Sequence, residues 1–307
     1  MEYLYSIIIL IGLYIILSSS FDLILGYGGL FSVAHPIFFA LGGYCSALLS
    51  MHFGIPIILS MILGGLFAAL ASVGLSIPAL RVSGDYLMIL SIGFQLGVLQ
   101  VIKNIDLTGG HSGLSNIPSL FSGAARSPIF ACLVLLVALV VVFSLRWLIK
   151  GDYGRAIQAM QDDEIAFVGL GRNSMNIKIT ILGVASGLAG VAGGLYAHHF
   201  QFLCPDQFEI LQSAAIVTMV VVGGSASTWG PVLGAALLLA LPQAIKFLNL
   251  PPSVNAPIQG MMFTVLVLVF LFVRPQGIIS AQHDRIKQST KHQTGDVDVG
   301  EPKGKPA

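Results

Sequence analysis

Long uninterrupted apolar runs constrain this chain more than any other feature. Stretches of roughly 17 to 25 apolar residues recur along it, each long enough to cross a hydrocarbon core of about 30 Å as a helix. The runs are continuous and do not alternate as barrel strands would, so in lipid the backbone groups must be satisfied within helices. Of the 307 residues, 55% are hydrophobic and 9% are charged, where a soluble domain carries about 25% charged residues. Mean hydropathy is +0.88. The expected fold is therefore all-α, a polytopic transmembrane bundle of about eight to ten helices in lipid. A net charge of +1 gives no footprint for nucleic acid, and none is expected as a partner.

Taken in order, residues 4–26 form the first span. No basic segment precedes it and no small-residue cleavage site follows Ser18-Ser19-Ser20, so it reads as a membrane helix, not a cleaved signal. A break at Gly26-Tyr27-Gly28-Gly29 leads through Ser32 and His35 to Pro36, which suits a helix start because it has no N–H to satisfy. The second span ends near Met51, the third covers 55–79, and the fourth runs from Gly84-Asp85 to Lys103. Residues 104–127 are too polar to span. The fifth span, 128–149, leads to a charged segment, and the sixth, 176–199, carries Gly187, Gly190, Gly193 and Ala189 as a face for close helix contact. Spans follow at 208–222, from Pro231 to Leu248, and at 257–273. Residues 1–275 are thus expected to form the membrane domain and 276–307 a polar, disordered cytoplasmic tail. Cys45, Cys132 and Cys204 lack ligand spacing and read as small core residues.

The charged segment, 151–172, fixes orientation. Placing it in the cytoplasm gathers Arg81, Arg146, Lys150, Arg155, Arg172 and Lys178 there, as the positive-inside rule requires, and nine spans then leave the N-terminus outside. Within the segment one short helix is expected, with Asp152 at its N-cap and Gly169 and Gly171 at its end. Ile157, Met160, Phe167 and Val168 recur at helical spacing, while Gln158, Gln161 and Asp162 make another side polar. Such a helix either docks into a partner's groove or is an ordinary solvated loop helix.

Residues 28–36 and 223–231 share the pattern GGxxSxxxP, each between two apolar runs. Matching glycine breaks in two halves are the sequence sign of a duplicated transporter whose pathway lies near the breaks. Two ordinary interhelical turns would give the same pattern. The pathway candidates are Asp22, Gly28, Gly29, Ser32, Gln95, Gly223, Gly224 and Ser227. A charge at the depth of Asp22 is costly, so it lines a polar pathway, holds the Gly26–Gly29 break or caps a neighbouring helix. Gln95 is more readily used in a helix–helix hydrogen bond.

Several chemistries find no support. There is no GxxxxGK[ST] loop for ATP, no HExxH and no Cys/His cluster, so neither a cofactor nor a metal is expected. Gly110-His111-Ser112-Gly113 matches the GxSG of rhomboid-type intramembrane serine proteases, with His198 or His199 as a conceivable base, but it lies in a loop outside the membrane. Asp162-Asp163-Glu164 resembles one half of a magnesium site for a diphosphate, and the second acidic cluster is missing. An ion-coupled secondary transporter would have Asp22 as its one mid-membrane acid.

The segment 154–171 resembles the coupling-helix region of bacterial branched-chain amino acid ABC transporter permeases, M-type subunit. Gly26–Ser32, Arg81–Leu90, Thr108–Leu114 and Val221–Pro231 agree with that family in the same order. The resemblance covers roughly residues 20–275. Asp85 and the Ser225–Trp229 loop depart from the family pattern, and the Thr108–Leu114 match absorbs the GxSG loop. It implies a permease that is not itself an enzyme, in the bacterial inner membrane. It also implies a homologous H-type permease, two cytoplasmic ABC ATPases and a periplasmic or lipid-anchored substrate-binding protein. Arg155, Ile157, Met160, Asp162, Asp163, Glu164, Ala166, Val168 and Gly169 would then couple to the ATPases. Asp106, Thr108, Gly109, Gly110 and His111 would meet the binding protein, and two half-bundles would rock against each other.

Overall fold

The computed structural model describes residues 2–79, 85–121, 126–246, 265 and 278–279. The expected span at 257–273, the tail beyond residue 279 and Arg81 lie outside the described residues. What is described is an all-α bundle. Helices α1 (Glu2–Asp22), α2 (His35–His52), α3 (Ile57–Ala79), α4 (Asp85–Asn104) and α5 (Arg126–Lys150) precede the charged segment. That segment folds as α6 (Asp152–Asp162) and α7 (Glu164–Gly169), and α8 (Ser174–Phe200), α9 (Ile210–Gly223) and α10 (Gly230–Lys246) follow. Five helices are long and apolar enough to cross a membrane, and α9 and α10 are shorter apolar helices. Leu66 and Leu70 on α3, Ile89 on α4, and Leu136, Leu139 and Phe143 on α5 are all exposed. An apolar outer surface of this extent suits lipid, not water. Cys132 belongs to that surface, a correction to its expected place in the core: its position on α5 points outward.

Each end of the bundle is identified by contacts between distant segments. At one end Gln161 Nε2 donates to the Gly26 carbonyl, and Asp22 Oδ1 accepts the Ala226 N–H, so the two glycine breaks and the charged segment meet. At the other, β1 (Leu114–Ser115) pairs antiparallel with β2 (Phe202–Leu203), and Gln201 Nε2 donates to the Ile117 carbonyl.

The core is tightest where α8 lies across α2 and α3. A Cβ at Gly42 would run into the Gly190 backbone, and one at Gly193 into the Phe39 carbonyl oxygen, so these helices approach at backbone distance. The helices from the two sides of the charged segment are thus interleaved. The stretches before and after the charged segment are therefore not separately packed bodies, since α8 lies against α2 and α3. Gly42→Val is expected to destabilise the bundle by on the order of 3 kcal/mol, seen as a lower melting temperature of the detergent-solubilised protein.

Candidate functional site

The end of the bundle that carries α6 and α7 gathers most of the sequence candidates. Gly151, in extended backbone, occupies the N-cap of α6, so Asp152 is the first helical residue and not the cap expected; it pairs with Arg155. A second difference is that the segment is two helices. Asp163 leaves the helical region (φ −153°, ψ 99°) and its Oδ1 accepts the Ala166 N–H at 2.9 Å, ending α6 and capping α7. A short acidic side chain that bonds its own backbone in this way competes with the continuing helix.

The apolar stripe of α6 faces the protein itself. Ile157 and Met160 are 0% and 3% exposed and join the main core, as does Phe167 of α7. Gly154 lies so close to the end of α5 that a Cβ there would collide with the Ile149 carbonyl. Ile157 and Met160 therefore anchor the segment, a correction to their expected contact with a partner. The exposed apolar side chains are Ile165 at 87%, Val168 at 51% and Leu170 at 82%, of which the sequence reading named only Val168. Arg155, Asp162, Asp163, Glu164, Ala166 and Gly169 share this exposed side.

A salt bridge fastens α7. Lys178 Nζ lies 2.6 Å from Glu164 Oε1. Burial pushes the Glu164 carboxyl up, but hydrogen bonds from Lys178 and Ser174 outweigh it and hold the group below its ordinary value. A depressed carboxyl pKa gives stability that is present above the unfolded value and lost as pH falls through the folded one. The tie is thus expected to hold at neutral pH and to fade below about pH 4.3. Lys178→Met at pH 7 should raise amide hydrogen exchange in 164–170 severalfold and leave 152–162 unchanged.

From α6 the contacts lead inward. Gln161 Nε2 donates to the Gly26 carbonyl at 3.1 Å, and Gly29, at φ +63°, lies against the same side chain. Leu23–Tyr27 form a π-turn, closed where the Gly28 N–H donates to the Leu23 carbonyl at 3.0 Å. One turn earlier Asp22 is 2% exposed, and its carboxylate accepts backbone N–H groups of Ala226 at 2.9 Å and of Ser227. Ala226 has a positive φ of 56°, which the Asp22 bond helps to hold. A Cβ at Gly26 would strike both Asp22 and the Ala226 nitrogen. Ser19, Asp22, Tyr27, Ser227 and Thr228 line a cavity of about 10 Å³, room for roughly one water. Of the roles open to Asp22, the geometry supports holding the second glycine break onto the first. Buried Ser32 and Ser227 lie at the two breaks, and Gly223 packs its backbone on Gly230. The N–H groups of Ile278 and Ile279 donate to the carbonyls of Val222 and Gly223, beside Gly224.

Gln95 lies elsewhere. Its Nε2 donates to the Phe208 carbonyl and its Oε1 accepts from Ser213 Oγ, both at 3.0 Å, so it ties α4 to the start of α9.

The loop at the opposite end is built, not loose. Thr108 Oγ1 donates to the Ile102 and Ile105 carbonyls at 2.7 Å, and Gly109 (φ +77°) passes too close to the Gly113 carbonyl to carry a side chain. Asp106 and His111 are exposed beside Gly110. Lys103 Nζ bridges Asp206 at 2.7 Å and Glu209 at 3.2 Å. The Lys103 ammonium beside it holds the Asp206 carboxyl below the usual carboxylate range. Ser112 lies exposed in its turn, whereas His198 spends Nε2 on Ser46 and Nδ1 on the Pro118 carbonyl. That leaves His198 no nitrogen to activate Ser112. Among the described residues no group of His, Cys, Asp and Glu side chains forms a metal-binding cluster.

Gln161, Gly26 and Ala226 are the residues the sequence did not assign to this site. Gln161 stood out as polar on a helix with an apolar stripe, but its partner is a carbonyl 135 positions away that carries no side-chain signal.

The profile of the family described as branched-chain amino acid transport system / permease component matches residues 3–271. The chain is 31% identical to the high-affinity branched-chain amino acid transport system permease protein LivM of Salmonella typhimurium, over 92% of this chain and 72% of that one. It is 30% identical to LivM of Escherichia coli K12, over 90% of this chain and 69% of that one. More distantly, it is 25% identical to the autoinducer 2 import system permease protein LsrD of an Enterobacter species, over 74% of this chain and 72% of that one. No solved structure matches.

Proposed function

Since the chain belongs to the branched-chain amino acid transport permease family, we propose that it is a membrane subunit of an ATP-driven importer of branched-chain amino acids in the bacterial inner membrane. Two cytoplasmic ATPases bind the α6–α7 segment, a homologous H-type permease completes the membrane part, and a periplasmic or lipid-anchored binding protein delivers the solute to the 106–118 loop. The observation that carries the reading is the path of contacts from the end of α6, which leads directly into the exposed α7, through Gln161 and Gly26 to Asp22 and Ala226. A push on α7 reaches both glycine breaks through it.

The division of labour follows from burial. Ile165, Val168 and Leu170 supply an apolar contact for the ATPases, and Asp162, Asp163 and Glu164 supply charge around it. Ile157, Met160 and Gly154 hold the segment to the bundle so that displacement is transmitted. Uptake of labelled leucine by the reconstituted complex tests this. Asp163→Lys with Glu164→Lys should cut ATP-dependent uptake at least tenfold while ATP hydrolysis persists. Asp163→Asn, which keeps the capping oxygen, should stay within about twofold of the unmutated protein. Unchanged uptake in the charge-reversed protein would count against ATPase docking at α7.

A further inference from the structure

A cavity of about 230 Å³ lies in the half of the bundle nearer β1 and β2, between α1, α2, α8 and the Pro205–Phe208 turn leading into α9. Its walls are of two kinds. Leu10, Leu13, Phe39 and Phe208 are apolar, and Phe39 meets Phe208 and Tyr196 edge-on at 5.5 Å, which fixes that wall. Tyr14, Tyr196, Gln207 and Gln212 contribute hydroxyl and amide groups. None of the described lining residues is charged.

The polar groups are only partly satisfied. Tyr196 Oη donates to Gln207 Oε1 at 3.2 Å, and Gln212 Nε2 donates to Tyr14 Oη at 3.4 Å. Gln212 Oε1 is buried without a hydrogen-bond partner. Turning the amide over exchanges the orphan acceptor for an orphan donor and does not remove it. A buried polar atom left unpaired is unfavourable, so its retention beside a cavity calls for an explanation by function.

We propose that this cavity is a binding site for the transported solute on its way from the β1–β2 end, and that it selects an aliphatic amino acid. The inference rests on the importer reading above and locates the solute within it. The branched side chain lies against Leu10, Leu13, Phe39 and Phe208. The Gln212 amide oxygen accepts from the α-ammonium, while the Tyr14 hydroxyl, which accepts from Gln212 and keeps its own proton, and the Gln207 amide N–H groups donate to the α-carboxylate. Hydrogen bonds to ionised groups are stronger than neutral ones, so uncharged residues can hold both ends of a zwitterion. The absence of a fixed counter-ion among the described lining residues favours release, which a transporter needs as much as capture. A lysine or glutamate side chain would meet only apolar wall and leave its charge unpaired. The volume lies below the ~300–1,000 Å³ of sites for drug-sized ligands, in keeping with a solute of few atoms.

The test uses the complete importer, with its binding protein, in proteoliposomes. Gln212→Leu is expected to raise the KM for leucine and for valine about tenfold alike, because it removes a contact to the shared head group. Leu10→Phe is expected to shift the leucine-to-valine uptake ratio at least fivefold toward valine, because it narrows the side-chain end. Leu10→Cys gives a reading without a disruptive change. Leucine should slow its alkylation by N-ethylmaleimide at least fivefold, followed by mass spectrometry of the residue 10 peptide, and glutamate should not. If the unmutated importer takes up leucine while Gln212→Leu and Leu10→Phe keep its KM and ratio and leucine gives no protection, the site assignment is wrong. An importer that moves no aliphatic amino acid overturns the functional reading instead.

Discussion

Asp22→Ala is expected to reduce ATP-dependent uptake by at least tenfold and to lower the melting temperature of the permease. The carboxylate accepts the backbone N–H groups of Ala226 and Ser227 in a site where Asp22 is almost fully buried. Removing it leaves both donors without their partner, at about 1–3 kcal/mol for each unsatisfied group. It also releases Ala226 from a left-handed conformation that a non-glycine residue holds only under constraint. Asp22→Asn separates this role from that of a charge in the pathway. Its amide oxygen can still accept from Ala226, so uptake is expected to stay within about threefold of the unmutated protein. If Asn is as damaging as Ala, the charge itself is needed, and an ion-coupled role for Asp22 regains weight. Both variants are read by leucine uptake and by thermal unfolding in detergent.

Gly154→Val is the second large effect. The end of α5 and the start of α6 meet at backbone distance, where a β-branched side chain would occupy the position of the Ile149 carbonyl. Relief requires α6 to lift from the bundle, which withdraws Ile157 and Met160 from the core and breaks the Gln161–Gly26 bond. Overpacking of this kind costs about 1–3 kcal/mol. Transport should be lost to background, because the α7 surface proposed to receive the ATPases is no longer held to the glycine breaks. Hydrogen exchange across 152–170 is expected to rise by an order of magnitude, while the α2–α3–α8 nest stays protected. If α6 remains protected and uptake is normal, the segment does not depend on this contact for its attachment.

The bundle was largely legible because lipid leaves few choices. A continuous apolar run is a helix, and the described helices α1–α5 and α8–α10 lie where apolar runs were expected; α2, for instance, starts at His35 beside Pro36. The glycine face of α8 was legible for the same reason, since small residues in a membrane helix imply a close neighbour. What the sequence left open is which neighbour: α8 pairs with α2 and α3 across the charged segment, and nothing in a helical pattern names the partner. The charged segment shows the limit most clearly. Its apolar stripe was visible, but whether a stripe faces a partner or its own protein is decided by burial, and Ile157 and Met160 turned inward. Its break was hidden because Asp163 looked like one more acid in a row, when its side chain caps a second helix. Likewise Asp22 was recognisable as an expensive residue, but its partners are backbone groups of residues 226 and 227, which leave no mark in a side-chain pattern.

The most direct test of the account is ATP-driven leucine uptake by this chain reconstituted with the H-type permease and ATPase subunits, with and without the liganded binding protein. The subunits are expected to purify as one assembly, the binding protein to stimulate its ATPase activity, and leucine to accumulate only when ATP is present. A chain that purifies alone and carries leucine across proteoliposomes without ATP would contradict it.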